Sequence, residues 1–124
     1  MKISEIAFIA YAVTDIGRAR KFYEGALGLK PSTSFPVTAD SKWIEYDIGA
    51  TTLGIGSSPQ WQPSRDGASV ALEVEDFDQA IANLKEHGIA FEMGPLETPV
   101  CHMAVIRDPD GSKICIHKRK PGRN

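Results

Sequence analysis

Histidine is scarce in this chain, with only His87, His102 and His117 among 124 residues. Cysteine is scarcer still, limited to Cys101 and Cys115. Two thiols do not make a disulfide framework, so the expected setting is a reducing cytoplasm with both thiols free. The apolar run Ile6–Val13 is too short to span a bilayer. It follows Glu5 and runs into a helix cap, so the Ala-x-Ala at Ala10–Ala12 is a poor signal-peptide match. There is no Gly-rich phosphate loop, because Gly54-Ile55-Gly56 lacks a strand-to-helix context. No Ser-His-Asp motif and no nucleic-acid module are recognisable. A net charge of −2 gives no general attraction to nucleic acid or to an anionic membrane surface. The basic tail Lys118-Arg119-Lys120, with Arg123, reads as a solvated terminus.

What is present is present twice. Val13-Thr14-Asp15-Ile16 opens an amphipathic stretch that closes at Gly28-Leu29. Val74-Glu75-Asp76-Phe77 opens another that closes at Gly88-Ile89, an offset of about 60 residues. Asp15 and Asp76 are placed to cap helices by accepting from free backbone N–H groups. Ile16, Ala19, Phe22, Tyr23, Ala26 and Leu27 recur at helical spacing, as do Phe77, Ala80, Ile81 and Leu84. Gly28 and Gly88 stop the two helices.

Strands are predicted over about 4–13, 33–38, 41–48 and 51–56, then over about 68–74, 90–93, 101–107 and 113–118. Gly56–Gly67 reads as a linker, and Asp108-Pro109-Asp110-Gly111 as a turn. The plan is α+β: two βαβββ modules, about 1–56 and 68–120, joined by a linker over about 57–67 within one domain. Each helix covers one face of a small mixed sheet. The open faces, curled toward each other, form a cleft.

Val13-Thr14-Asp15-Ile16, Phe22-Tyr23, Leu27-Gly28-Leu29, their second-copy counterparts and the turn Arg107–Ser112 together resemble the vicinal oxygen chelate superfamily. It is also called the glyoxalase / bleomycin-resistance / extradiol dioxygenase superfamily. The resemblance implies a curled mixed sheet around a cleft. In metal-binding members it also implies a His on the first strand of each module and a Glu on the last. Carried over by position, those sites fall on Phe8, on Leu53 or Gly54, on Ser69 and on Cys115. A lone thiolate does not hold a divalent ion, so no metal and no other cofactor is expected.

The resemblance further implies a homodimer and a small-molecule ligand, an antibiotic or aromatic compound, bound without metal. Phe8, Trp43, Glu45, Ser69, Cys115, His102 and His117 are the expected lining. Strand alternation puts Trp43 and Glu45 opposite Ile44 and Tyr46, which points them to the cleft. Glu45 beside an aromatic wall is a weak candidate general base; the bland reading is a solvated rim charge. Trp61 either covers the cleft or packs on a dimer partner. His102 has two readings, on the cleft face or beneath a helix. Glu73 shares strand parity with Ser69 and Ala71, which puts it on the cleft side, but at the strand end it reads as solvated. The alternative function is a glyoxalase- or dioxygenase-like metalloenzyme, a lyase or isomerase, with a displaced divalent-metal site drawn from Glu45, His102 or His117.

Overall fold

The computed structural model describes residues 1–38 and 40–122, so Arg123 of the basic tail lies outside the described residues. The element order is β1 (Phe8–Ala12), α1 (Ile16–Arg20), β2 (Thr33–Thr38), β3 (Ser41–Ile48), β4 (Thr51–Ser57), β5 (Val70–Glu73), α2 (Phe77–Glu86), β6 (Met93–Glu97), β7 (Cys101–Arg107) and β8 (Lys113–Arg119). The strands form two four-stranded sheets, ordered β1-β4-β3-β2 and β5-β8-β7-β6. In each sheet the first pair is parallel and the others antiparallel. The two sheets are not closed into one barrel.

The halves repeat down to their backbone angles. Asp15 caps α1 through Arg18 N–H, and Asp76 caps α2 through Gln79 N–H, both at 3.0 Å. The caps share an extended conformation, φ −133° and −129°. The stop glycines Gly28 and Gly88 both sit at φ 72°, a left-handed conformation that side chains disfavour. The first helix departs from its counterpart after Arg20, where Lys21–Ala26 widen into a π-helical turn. Leu27 N–H then bonds to the Phe22 carbonyl five residues back, at 3.0 Å. The wider turn buries the adjacent residues Phe22 and Tyr23 together.

The core lies on the helix side of both sheets. Tyr11, Ile44, Tyr46, Leu53 and Ile55 come from the first sheet, and Ile106, Ile114 and Ile116 from the second. Tyr11 joins the halves: its hydroxyl donates to the Lys113 carbonyl and accepts from Val70 N–H, both at 2.8 Å.

Three strands differ from expectation. β1 starts at Phe8 rather than near residue 4, because its partner β4 begins at Thr51 and Phe8 already pairs with Thr52. Ile3 and Ile6 are consequently exposed. β5 is shorter, Val70–Glu73, for the same reason: it pairs only with Ile114–His117. β6 runs over Met93–Glu97 instead of 90–93. Gly94-Pro95 looks like a turn in sequence, yet β6 is an edge strand, where a proline without an N–H is tolerated.

One carboxylate in the first half carries a pH expectation. Glu24 accepts from Arg20 Nε at 2.7 Å and from the Tyr46 hydroxyl at 2.9 Å. The Arg20 bond leads in holding its pKa below the usual value, with burial opposing. A depressed folded pKa contributes stability above the unfolded value, lost as pH falls through the folded one. The urea midpoint should therefore fall on acidification below about pH 4.5, and fall less steeply in Glu24→Gln. Parallel profiles for the two proteins would refute this.

Candidate functional site

Most of the candidate side chains lie on the face of each sheet turned away from its helix. On the first sheet, strand register puts Phe8, Ala10 and Ala12 of β1 beside Thr52, Gly54 and Gly56 of β4. Those lie opposite Asp47, Glu45 and Trp43 of β3. Three aromatic rings gather there. Phe8 meets Trp43 edge-on with ring centroids 5.6 Å apart, and Trp61 stacks on Trp43 at 6.5 Å and 28°. Phe8 remains 53% exposed, so it lines the face and does not plug it. Trp61 is seated on its own chain by the Ser58–Trp61 bridge near the start of the linker.

Two glycines make this wall possible. A Cβ on Gly54 would stand 2.4 Å from Trp43 Cη2 and Cζ2, and one on Gly56 would stand 2.8 Å from Trp61 Cζ3. The indole of Trp43 therefore lies directly on the backbone of β4. Its Nε1–H donates to Glu45 Oε2 at 2.7 Å. Glu45 thus lies on the expected face, where it fixes the orientation of the indole.

The second sheet presents a different lining. Ser69, Glu92, Met93, Met103, Val105, Lys113 and Cys115 surround a trough of about 590 Å³. That volume falls in the usual range for small-molecule sites. Burial, first among its causes, pushes the Cys115 thiol pKa up, which favours the neutral thiol. His117 faces the same side as Cys115, across from Met103, and its Nδ1 is 2.6 Å from Glu73 Oε1. The sequence hid this pair. Glu73 and His117 are 44 residues apart and meet only through the parallel β5–β8 register.

His102 lies elsewhere. It shares the helix side of β7 with Ala104 and Ile106 and packs on Phe77 at 5.6 Å. The structure therefore does not bring it together with Cys115. His87 closes α2, its Nδ1 2.8 Å from the Asn83 carbonyl.

The positions corresponding to the metal ligands can now be tested. Register puts Gly54 on the Phe8 face, while Leu53 is buried under the helix. A phenyl ring, a glycine, a hydroxyl and a neutral thiol do not fit a divalent ion. Among the described residues, no group of three or more His, Cys, Asp or Glu is placed to hold a metal. No described helix is long and apolar enough to cross a membrane.

This architecture defines a class. The chain belongs to the Glyoxalase/Bleomycin resistance protein/Dioxygenase superfamily, whose pattern it matches over residues 5–116. Among solved structures it is similar to TnmS3, an antibiotic binding protein from Streptomyces sp. CB03234. The identity is 27%, with a TM-score of 0.81, covering 97% of this chain and 99% of that one. A glyoxalase/bleomycin resistance protein from the same organism matches at 27% identity and TM-score 0.75, over 90% of this chain and 98% of that one. The anthracycline biosynthesis protein DauV of Streptomyces sp. (strain C5) is 30% identical over 117 residues. That match covers 90% of this chain, which spans only 40% of the relative's length.

Proposed function

We infer that this protein binds flat aromatic small molecules, of the type found among antibiotics, without a metal. One observation carries the reading: the Trp43 indole laid on Gly54 and Gly56, with Phe8 at its edge and Trp61 stacked beside it. Such a wall offers large, rigid π-surface at little conformational cost. The poor fit of Phe8, Gly54, Ser69 and Cys115 to a divalent ion argues for metal-free binding. The likeness to an antibiotic binding protein, matched over nearly the whole of both chains, supports the ligand class. A homodimer belongs to the same reading, since Phe8 and Met93 leave apolar surface open on the helix-free faces. The free thiols Cys101 and Cys115 suit a reducing cytoplasm.

The test is calorimetric titration with 2-methoxyanthraquinone, a planar tricyclic probe, on protein assayed for metal. Trp43→Ala should weaken binding about thirtyfold, the usual loss for a tryptophan anchor. An unchanged affinity would sink the aromatic-wall reading, and one tightly held ion per chain would sink its metal-free part.

A further inference from the structure

Glu73 and His117 form a fixed imidazole–carboxylate pair that the aromatic wall does not use. Glu73 is held at both oxygens: Oε1 faces His117 Nδ1 at 2.6 Å, and Oε2 accepts from Arg119 N–H at 2.7 Å. Desolvation raises the pKa of Glu73, but the Arg119 N–H, His117 and the Arg119 charge outweigh it and leave the pKa below normal. In the neutral form of the ring, the contact of Nδ1 with Glu73 keeps the proton on Nδ1 and the lone pair on Nε2. Nε2 has no hydrogen-bond partner among the described residues. The pair is not needed to join β5 to β8, because their backbones already pair over Val70–Glu73. Partly exposed ion pairs add little stability in any case.

Its place in the fold suggests its use. On one side lie Met103 and Cys115, which line the 590 Å³ trough. On the other, Glu73 lines a recess of about 260 Å³ shared with Thr51 and Thr52 of the first sheet. Thr52 is the register partner of Phe8, so that recess adjoins the strand pair that carries the edge of the aromatic wall. Strand register sets Cys115 and Arg119 of β8 on the pair's side of the sheet, with Cys101 of β7 opposite Arg119, and Thr52 at the recess bonds Asp47 of the first sheet at 2.9 Å. The Arg119 guanidinium is 3.9 Å from Glu73.

We propose that the Glu73–His117 pair is a proton-accepting subsite for the acidic hydroxyl of a planar hydroxy-aromatic ligand, a hydroxyquinone or similarly activated phenol. This rests on the aromatic-binding reading and specifies its ligand. On binding, the ligand O–H bond breaks and an Nε2–H bond forms. The oxygen keeps the electron pair and faces an imidazolium whose Nδ1–H stays on Glu73. No other bond changes.

The test compares 2-hydroxyanthraquinone with 2-methoxyanthraquinone in neutral buffer, with the spectrum of the free compound in that buffer as the reference. Calorimetry gives affinities, and visible absorbance reports ionisation of the bound quinone. The wild type should bind the hydroxy compound about tenfold more tightly than the ether, as expected for a charge-assisted hydrogen bond, with the red-shifted spectrum of the anion. His117→Gln should abolish both the preference and the shift. Glu73→Gln, which keeps an acceptor for Arg119 N–H, should weaken both and serves if the first variant fails to fold. A bound quinone with the neutral spectrum, or a preference that survives both substitutions, overturns the proposal. Equal binding of both compounds by the wild type overturns it and leaves the Trp43 reading standing. Binding of neither overturns both.

Discussion

Asp108→Ala is expected to lower the melting temperature by about 10 °C. Asp108 is only 4% exposed, and its carboxylate serves three donors. Oδ2 accepts from the Tyr23 hydroxyl at 2.8 Å, while Oδ1 accepts from Ser112 N–H at 2.9 Å and Asp110 N–H at 3.0 Å. Tyr23 is fully buried, so water cannot replace the missing oxygen there. Stranding buried donors of a charged acceptor costs about 3 kcal/mol in total. With an unfolding entropy of about 2.1 cal/mol/K per residue, that sets the size of the shift. Tyr23→Phe should recover part of the loss in a double-mutant cycle, since it removes one stranded donor. Burial, the leading cause, raises the Asp108 pKa against the three donors. Its own titration therefore favours the fold as pH drops toward the unfolded value, opposite to Glu24. A scanning-calorimetry shift of less than a few degrees would mean that the turn is open to solvent.

The same residues show what a sequence can and cannot disclose. Asp108–Ser112 was legible as a turn because Asp, Pro and Gly favour that backbone locally. Its second role was not. Asp110 accepts from Thr14 Oγ1 at 2.6 Å and from Arg18 at 2.9 Å, and Asp108 holds Tyr23, so the turn of the second half clasps the helix of the first. Such bonds cross 85 to 96 residues and leave no periodic trace. The tandem plan was legible because caps, stripes and stops are short-range and occur twice. Trp43 and Glu45 were legible by alternation, since β3 is regular throughout. Glu73–His117 was not, because it depends on parallel pairing between strands separated by α2, β6 and β7. His102 illustrates the limit of parity: alternation left it two readings, on the cleft face or beneath a helix, and only the Phe77 contact decides for the helix side.

Gly54→Ala should separate binding from stability more sharply than any change to the aromatic residues themselves. Gly54 has no positive φ, so its backbone accommodates alanine. The added methyl would stand 2.4 Å from Trp43 Cη2 and Cζ2, a contact that cannot persist. The obstructing atoms are the far end of a half-buried side chain, so the indole lifts and the sheet stays. Loss of the indole's packing is offset by the reduced unfolded-state entropy of alanine, a gain of about 0.4–1 kcal/mol. The melting temperature should therefore change by no more than about 4 °C. Binding should not be spared. Once lifted, Trp43 loses the 2.7 Å bond to Glu45 that sets its plane and turns out of register with Phe8 and Trp61. Affinity for 2-methoxyanthraquinone should fall about thirtyfold, as far as for removal of the ring itself. The near-ultraviolet circular dichroism of the stacked indoles should weaken in parallel. If Gly54→Ala bound the probe as the wild type does, a tryptophan seated on bare backbone would not be what the ligand recognises.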